Sequence, residues 1–353
     1  MTSAIRTRPV GTAQDYLAEV RSCWEGARAG RDTIELDVGV AGVAVRLCFA
    51  EPALHARLAP AFEHRRTTSR PDPDLSIMIW AGRDHAIPTP PWCRPGPVLR
   101  GSLDHYSDGA RQMVFRHENR FSALDHASGT GFQWYDDAAR ISSAEAANPL
   151  RYFFHWWMLR EGHALCHAAS VGTPAGAVLI CGASGAGKST TTLACVDAGL
   201  LYVGDDLVLV RREPEARVVN LYGSAKLNAD CLPLFPRWAA HVDNPVRAPG
   251  EKAVFFLNRF LPDRIASSLP LAAIVLPQIT GRRLTTVERA SPAACLRSLA
   301  PSSVMQLCGD GPALLRELAQ LAREVPGYAL KLGTDQASTV EAVTAIASGR
   351  SSL

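Results

Sequence analysis

The chain has 353 residues, 20% of them charged and 7% aromatic, with a net charge of +3. That length leaves room for two domains, each with a core of its own. The charge is too small to point to nucleic acid or to an anionic membrane. No apolar run reaches the ~18 residues of a membrane span, and Met1 to Val10 lacks the apolar core of a signal peptide. The nine cysteines show neither C-x-x-C nor zinc-ligand spacing. Together these set the expectation of a cytoplasmic protein without a membrane or nucleic-acid partner.

In chain order, Ala13 to Arg28 is predicted helical, with Tyr16, Leu17, Val20, Cys23 and Trp24 at helical spacing. Thr33 to Val38 and Val43 to Cys48 alternate as strands about a Gly-containing turn. Glu51 to Phe62 is predicted to be one helix, with Pro52 in its first turn. Leu75 to Trp80 is a strand, and Ile87 to Pro97 is a proline-rich loop. Gln112 to His117, Arg120 to His126 and Thr130 to Tyr135 form a meander. His105, His117 and His126 lack ligand spacing and are expected not to bind metal. A domain boundary is placed near residue 147. Residues 1–147 are then a strand-rich N-terminal domain that could recognise a substrate, and residues 148–353 are a second domain.

Asn148 to Glu161 is predicted as an apolar helix, with Asn148 as cap and Pro149 in the first turn. A strand follows at Cys166 to Val171, then another at Ala177 to Cys181. Leu200 to Val210 is an apolar run that holds Gly204-Asp205-Asp206. Carboxylates inside a buried strand are costly unless they work, so this pair is singled out. Ala216 to Tyr222 is a strand. Phe235 to Lys252, with Arg237, Arg247 and Lys252, is expected to be a mobile segment near the site. Ala272 to Pro277, Leu284 to Arg289 and Tyr328 to Leu332 are strands. Ser291 to Leu299, Pro312 to Arg323 and Ser338 to Ala347 are helices.

The strongest signal is Gly182-Ala183-Ser184-Gly185-Ala186-Gly187-Lys188-Ser189-Thr190, which fits G-x-x-x-x-G-K-[ST] between a strand and a helix. At ordinary composition a chain of this length carries that pattern about once in a hundred. The small residues let successive backbone N–H groups close around a phosphate, and the helix N-terminus adds partial positive charge. Gly182, Ser184, Gly185, Ala186, Gly187 and Thr190 are therefore expected to cradle the phosphates. Lys188 would reach the β- and γ-phosphates, and the Ser189 hydroxyl would ligate Mg²⁺. ATP and Mg²⁺ are the expected cofactors.

Beyond this loop, His163-Ala-Leu-Cys-His167-Ala-Ala-Ser-Val-Gly172, the loop itself and Gly204-Asp205-Asp206-Leu-Val together resemble the HPr kinase/phosphorylase family. The match covers roughly residues 160–210. The chain also resembles HPr-kinase-related proteins of biosynthetic gene clusters, some of which phosphorylate a serine of a lasso peptide precursor. The resemblance implies a mixed α/β sheet of the HPr kinase and phosphoenolpyruvate carboxykinase type. It implies Asp205 as general base, His167 as the histidine that assists it, and Asp206 close to the metal. The family's Glu-Ile-Arg-Gly-type motif is absent. Gly223-Ser224-Ala225-Lys226-Leu227-Asn228 stands there instead, with Lys226 in the place of the arginine.

The expected activity is an ATP-dependent kinase acting on a Ser or Thr hydroxyl of a peptide or protein, a ribosomal peptide precursor included. Phosphoryl transfer needs a phosphate clamp, a cation and a carboxylate to orient the acceptor hydroxyl, and these residue types supply all three. Two alternatives stay open: a kinase of a small hydroxylated metabolite, and a nucleotide-binding module without transfer chemistry. A homo-oligomer is compatible with either.

Overall fold

The computed structural model describes residues 12–93, 103–116 and 120–350. The chain divides into two compact units. One takes the chain up to Val38 with Val43–Arg57 and Thr67–Ile141. The other takes Gly39–Gly42, Leu58–Arg66 and the chain from Ser142.

The elements of the first stretch are α1 (Ala13–Arg28), β1 (Ile34–Val40), β2 (Val43–Phe49), α2 (Pro52–Leu58), β3 (Leu75–Ala81), β4 (Leu103–Ser107), β5 (Arg111–Arg116), β6 (Arg120–Asp125) and β7 (Thr130–Tyr135). Thr12 and Asp15 close a reciprocal capping box that starts α1. Its buried face, with Tyr16, Val20 and Trp24, packs with Trp80, Phe121 and Phe132. The seven strands run in the order β1-β2-β3-β7-β6-β5-β4. β3 is parallel to both β2 and β7, whereas β4 to β7 form an antiparallel meander. The parallel β2–β3 step needs a long crossover, which Pro52 to Arg65 provides.

Two local readings change here. Glu51 to Phe62 is not one helix: α2 stops at Leu58 and a 3-10 segment runs Ala59–Arg65. Pro60 explains the break, since a proline disfavours helical geometry in the residue before it and cannot donate a backbone bond. β4 was not anticipated, because Leu103-Asp-His-Tyr-Ser is too polar to signal a strand. It forms as an edge by pairing with β5. His105 lies on β4 and His126 follows β6, whereas His117 lies outside the described residues.

The second unit continues with α3 (Ser143–Ala147), α4 (Arg151–Arg160), β8 (His163–Cys166), β9 (Ala169–Thr173), β10 (Gly176–Ile180), α5 (Lys188–Asp197), β11 (Leu201–Gly204), β12 (Val208–Arg211), β13 (Arg217–Val219), β14 (Ser224–Leu227), β15 (Ala253–Phe256), β16 (Ser268–Ile279), β17 (Thr286–Ala290), α6 (Pro292–Gln306), α7 (Gly311–Glu324), β18 (Gly327–Leu332) and α8 (Gln336–Ala347). Asn148-Pro149 does not cap a helix as expected. Ser142 caps α3, Asn148 ends it, and Leu150 takes a left-handed conformation before α4. The proline again sets the break.

The large sheet is mixed, in the order β11-β9-β10-β16-β13-β12-β8, with β18 and then β17 added beside β16. The long β16 is its seam. Its first residues pair antiparallel with β13, and its later ones pair parallel with β10 and β18. This mixture of parallel and antiparallel pairing is the α/β class expected. Its core includes Val171, Ile180, Leu193, Tyr202, Val275 and Leu330, packed with Trp238 and Phe255. Among the described residues no helix is long and apolar enough to cross a membrane.

Two expected strands prove to be pairs. Cys166 to Val171 splits into β8 and β9 at His167-Ala168. Leu200 to Val210 splits into β11 and β12 at Asp205-Asp206-Leu207. β8 pairs with β12, and β9 with β11, so both breaks occur where the chain passes from one half of the sheet to the other. Each break contains a backbone bond spanning two residues: Ala168 N–H to the Cys166 carbonyl at 3.0 Å and Leu207 N–H to the Asp205 carbonyl at 2.9 Å. Asp206 sits there at φ 70, a left-handed conformation that Asp tolerates better than most residues.

Candidate functional site

The glycine-rich loop links the end of β10 to the start of α5. Gly185 and Gly187 have φ of 81 and 100, and a Cβ at Gly187 would come within 2.7 Å of Leu332 Cδ1. Glycine is thus favoured at 187 by backbone conformation, and any side chain there would also displace the end of Leu332. Lys188 folds back over the loop: its ammonium donates to the Gly182 carbonyl at 2.7 Å and to the Ala183 carbonyl at 3.1 Å. Burial holds the Lys188 ammonium below its ordinary pKa. The charge of Lys252 adds to this, while Asp205 and Asp206 oppose it. From α6, Ser298 donates to the Cys181 carbonyl at 3.2 Å, fixing the base of the loop.

The two aspartates face different partners. Asp205 is 2% exposed. One of its oxygens accepts from the Ser189 hydroxyl at 2.8 Å and the other from the Lys226 backbone N–H at 2.9 Å. Asp206 accepts from the Lys226 ammonium at 2.7 Å, and its second oxygen lies 3.2 Å from His167 Nε2. Lys226, on β14, therefore serves both carboxylates, and its ammonium also reaches the Ala144 carbonyl at 3.3 Å. The backbone N–H of His167 donates to Ser303 on α6 at 3.0 Å, and its Nδ1 is buried without a partner among the described residues.

These contacts divide the charge unevenly. Burial raises the Asp205 pKa, and the neighbouring Asp206 adds to the rise, while bonds from Lys226 and Ser189 oppose it. Asp206 also meets a burial penalty, but Lys226 and His167 outweigh it and hold its carboxyl well below the usual range. Two like charges this close separate in pKa, and here the neighbours decide which one stays ionised.

A cavity of about 120 Å³ is lined by Ser184, Gly185, Gly187, Lys188, Ser189 and Thr190 of the loop, together with His167, Asp206, Leu227, Asn228, Cys231, Lys252 and Ile279. Gly182, Ala186, Asp205 and Lys226 do not line it. The Lys226 ammonium is turned onto Asp206 and Asp205 onto Ser189, and the carboxylate on the cavity wall is Asp206.

Lys252 belongs on the wall although sequence reasoning left it among loop cations. It makes no ion pair among the described residues, and its backbone is set by Asn244. The Asn244 side chain donates to the Lys252 carbonyl at 3.0 Å and accepts from Val254 N–H at 2.8 Å. The other loop cations are used elsewhere. Arg237 pairs with Asp197 at 2.9 Å, and Arg247 donates to the Asn244 carbonyl at 2.8 Å.

For a hard divalent cation the donor set is the Ser189 hydroxyl and the two carboxylates, all oxygen. Among the described residues no three His, Cys, Asp or Glu side chains converge on one point.

The chain matches no family model and no curated protein. Among solved structures it is similar to the HPr(Ser) kinase/phosphatase from Coxiella burnetii, at 14% identity over 48% of this chain and 85% of that one, with a TM-score of 0.28.

Proposed function

We propose that the second unit is an ATP-dependent kinase domain of HPr-kinase-like type that transfers the γ-phosphate to a Ser or Thr hydroxyl of a peptide or protein. The observation that carries this reading is the convergence of loop residues Ser184 to Thr190, Asp206 and His167 on one cavity, with Asp205 bonded to Ser189 beside it. A nucleotide-binding module without transfer chemistry needs the loop and Ser189 but has no use for an ionised carboxylate backed by histidine on the wall.

In this reading the loop N–H groups and Lys188 hold the triphosphate, and Lys252 contributes a second cation. Lys188 must leave the Gly182 and Ala183 carbonyls to do so. Ser189 and Asp205 would hold Mg²⁺, which would neutralise charge on the phosphates. Asp206 accepts the proton of the acceptor hydroxyl and His167 orients it, so the two aspartates exchange the roles implied by the family resemblance. The low pKa of Asp206 keeps it ionised and able to orient the hydroxyl. Its weak basicity is tolerable because a loose phosphoryl-transfer transition state demands little proton removal early on. Lys226 fixes both carboxylates and is a positioning residue.

The test is incubation of the full chain with γ-labelled ATP, Mg²⁺ and serine-containing peptides, with free hydroxylated metabolites as the competing class. Label on peptide seryl oxygen, lost in Asp206→Asn, is the expected result. Label only on small metabolites, or none, overturns the reading.

A further inference from the structure

We infer that the loop from Ile279 to Leu284 is the docking rim for the acceptor, and that it fits a peptide with carboxylates and aliphatic side chains beside its Ser or Thr. This rests on the phosphotransfer reading above.

The loop is held rigidly by its backbone. Thr280 N–H and its hydroxyl donate to the Leu332 carbonyl at 3.1 and 2.9 Å. The Arg282 carbonyl accepts from Thr334 N–H at 2.8 Å, and the Arg283 carbonyl from Asp335 N–H at 3.0 Å. Thr285 ties the end down: its hydroxyl accepts from Gly333 N–H at 2.9 Å and its N–H donates to Ser338 at 3.0 Å. The loop passes so close to Gly333 that a Cβ there would lie 2.4 Å from the Arg283 carbonyl.

The side chains do the opposite. Ile279 is 70% exposed and Leu284 56% exposed. Arg282 and Arg283 are exposed, and their guanidinium groups make no ion pair or hydrogen bond among the described residues. The nearby carboxylates are already engaged. Glu288 pairs with Lys331 at 3.5 Å, and Asp335 accepts from the first N–H groups of α8. A scattered exposed aliphatic residue needs no explanation. Two of them flanking two unneutralised arginines, on a fixed backbone, are a different case. A pre-organised surface loses little entropy on binding, and arginine matches a carboxylate bidentately.

Position supplies the link to the reaction. Ile279 ends β16 and lines the cavity that holds Lys188, Ser189 and Asp206. A chain lying on this rim reaches the cavity at Ile279. The arginines would take acidic residues flanking the acceptor, and Ile279 and Leu284 its aliphatic ones.

The experiment uses the full chain with γ-labelled ATP and two synthetic peptides that share a central Leu-Ser-Leu, flanked by glutamates in one and by lysines in the other. The glutamate peptide should have the lower KM. The double variant Arg282→Glu with Arg283→Glu should raise that KM by about tenfold, the scale of one lost charge-assisted contact. It should leave kcat and the Kd for Mg·ATP within about twofold, and it should gain on the lysine peptide. Ile279→Ser should raise KM for both peptides. Equal KM values for the two peptides overturn the inference, as does an unchanged double variant. A loss of self-association in the variant, seen by sedimentation, also overturns it and makes a second copy of the chain the partner. If the parent binds Mg·ATP but labels neither peptide, the rim does not serve such an acceptor. If the parent does not bind Mg·ATP, the phosphotransfer reading itself has failed.

Discussion

His167 Nε2 lies 3.2 Å from Asp206 because each residue occupies a break between two strands, and the two breaks belong to neighbouring strand pairs. β8 and β9 part at His167, and β11 and β12 part at Asp206, so the side chains emerge where the sheet opens. Positive φ at Asp206 turns its carboxylate onto the cavity wall, while Asp205 remains beneath, bonded to Ser189. Backbone strain of this kind is tolerated where the surroundings over-determine it. Here Lys226 and His167 hold the side chain from two sides.

The division of labour between the aspartates is directly measurable. Asp206→Asn keeps size and most hydrogen bonding but removes the charge. Phosphoryl transfer should fall about 10²–10⁴-fold, the range of general base catalysis, with Mg·ATP affinity nearly unchanged. Asp205→Asn should instead weaken Mg²⁺-dependent nucleotide binding. Rates and affinities are taken from the same samples. The reverse pattern would return the base to Asp205.

Lys188→Ala should abolish tight Mg·ATP binding and leave the fold intact. Lys188 lines the cavity and its ammonium bonds two loop carbonyls, so it contributes charge rather than core packing. Calorimetric titration reads the affinity, and the far-UV spectrum reads the fold. Unchanged affinity would remove the loop from nucleotide binding.

Lys252→Ala should weaken binding of Mg·ATP more than binding of Mg·ADP, by about tenfold, since a hydrogen bond to a charged group is worth about 1.5–3 kcal/mol. Asn244→Ala should act in the same direction and more weakly, because Asn244 sets only the backbone of Lys252. Equal losses for the two nucleotides would place Lys252 away from the terminal phosphate.

Stability should depend on His64 between pH 6.5 and 4. Burial lowers its pKa to about 4, with Arg65 adding to the fall, although the bond to Asn220 works against it. The Asn220 oxygen accepts from His64 Nε2 at 2.6 Å and from Arg65 Nε at 3.0 Å, and burial keeps His64 neutral in the fold near neutral pH. The unfolded chain takes up a proton below about 6.5 and the folded chain does not. Stability therefore falls as pH drops through that window, by up to roughly 3 kcal/mol at about 1.4 kcal/mol per unit. Denaturant titration at pH 7 and pH 5 should show the loss, and His64→Gln should flatten it. An equal slope in the variant would assign the acid sensitivity elsewhere.

The sequence by itself determined the elements whose signals are local. The α1 cap rests on Thr12 and Asp15, three residues apart, and the glycine-rich loop is legible because its glycines recur at fixed spacing between a strand and a helix. The residues that meet at the cavity were also visible as types, because Asp205 and Asp206 stand out in an apolar run. Only the tertiary structure decided which of them faces the cavity. That depends on the strand breaks at His167-Ala168 and Asp205-Asp206-Leu207, where each run reads as one strand, and on Lys226, which stands 20 positions from Asp206 on the β14–β15 pair. Lys252 joins the wall for the same reason, since its place is set by an Asn244 clamp that no periodicity records. Local rules fix strands, caps and turns, but the direction of a side chain at a sheet break is fixed by partners from distant segments.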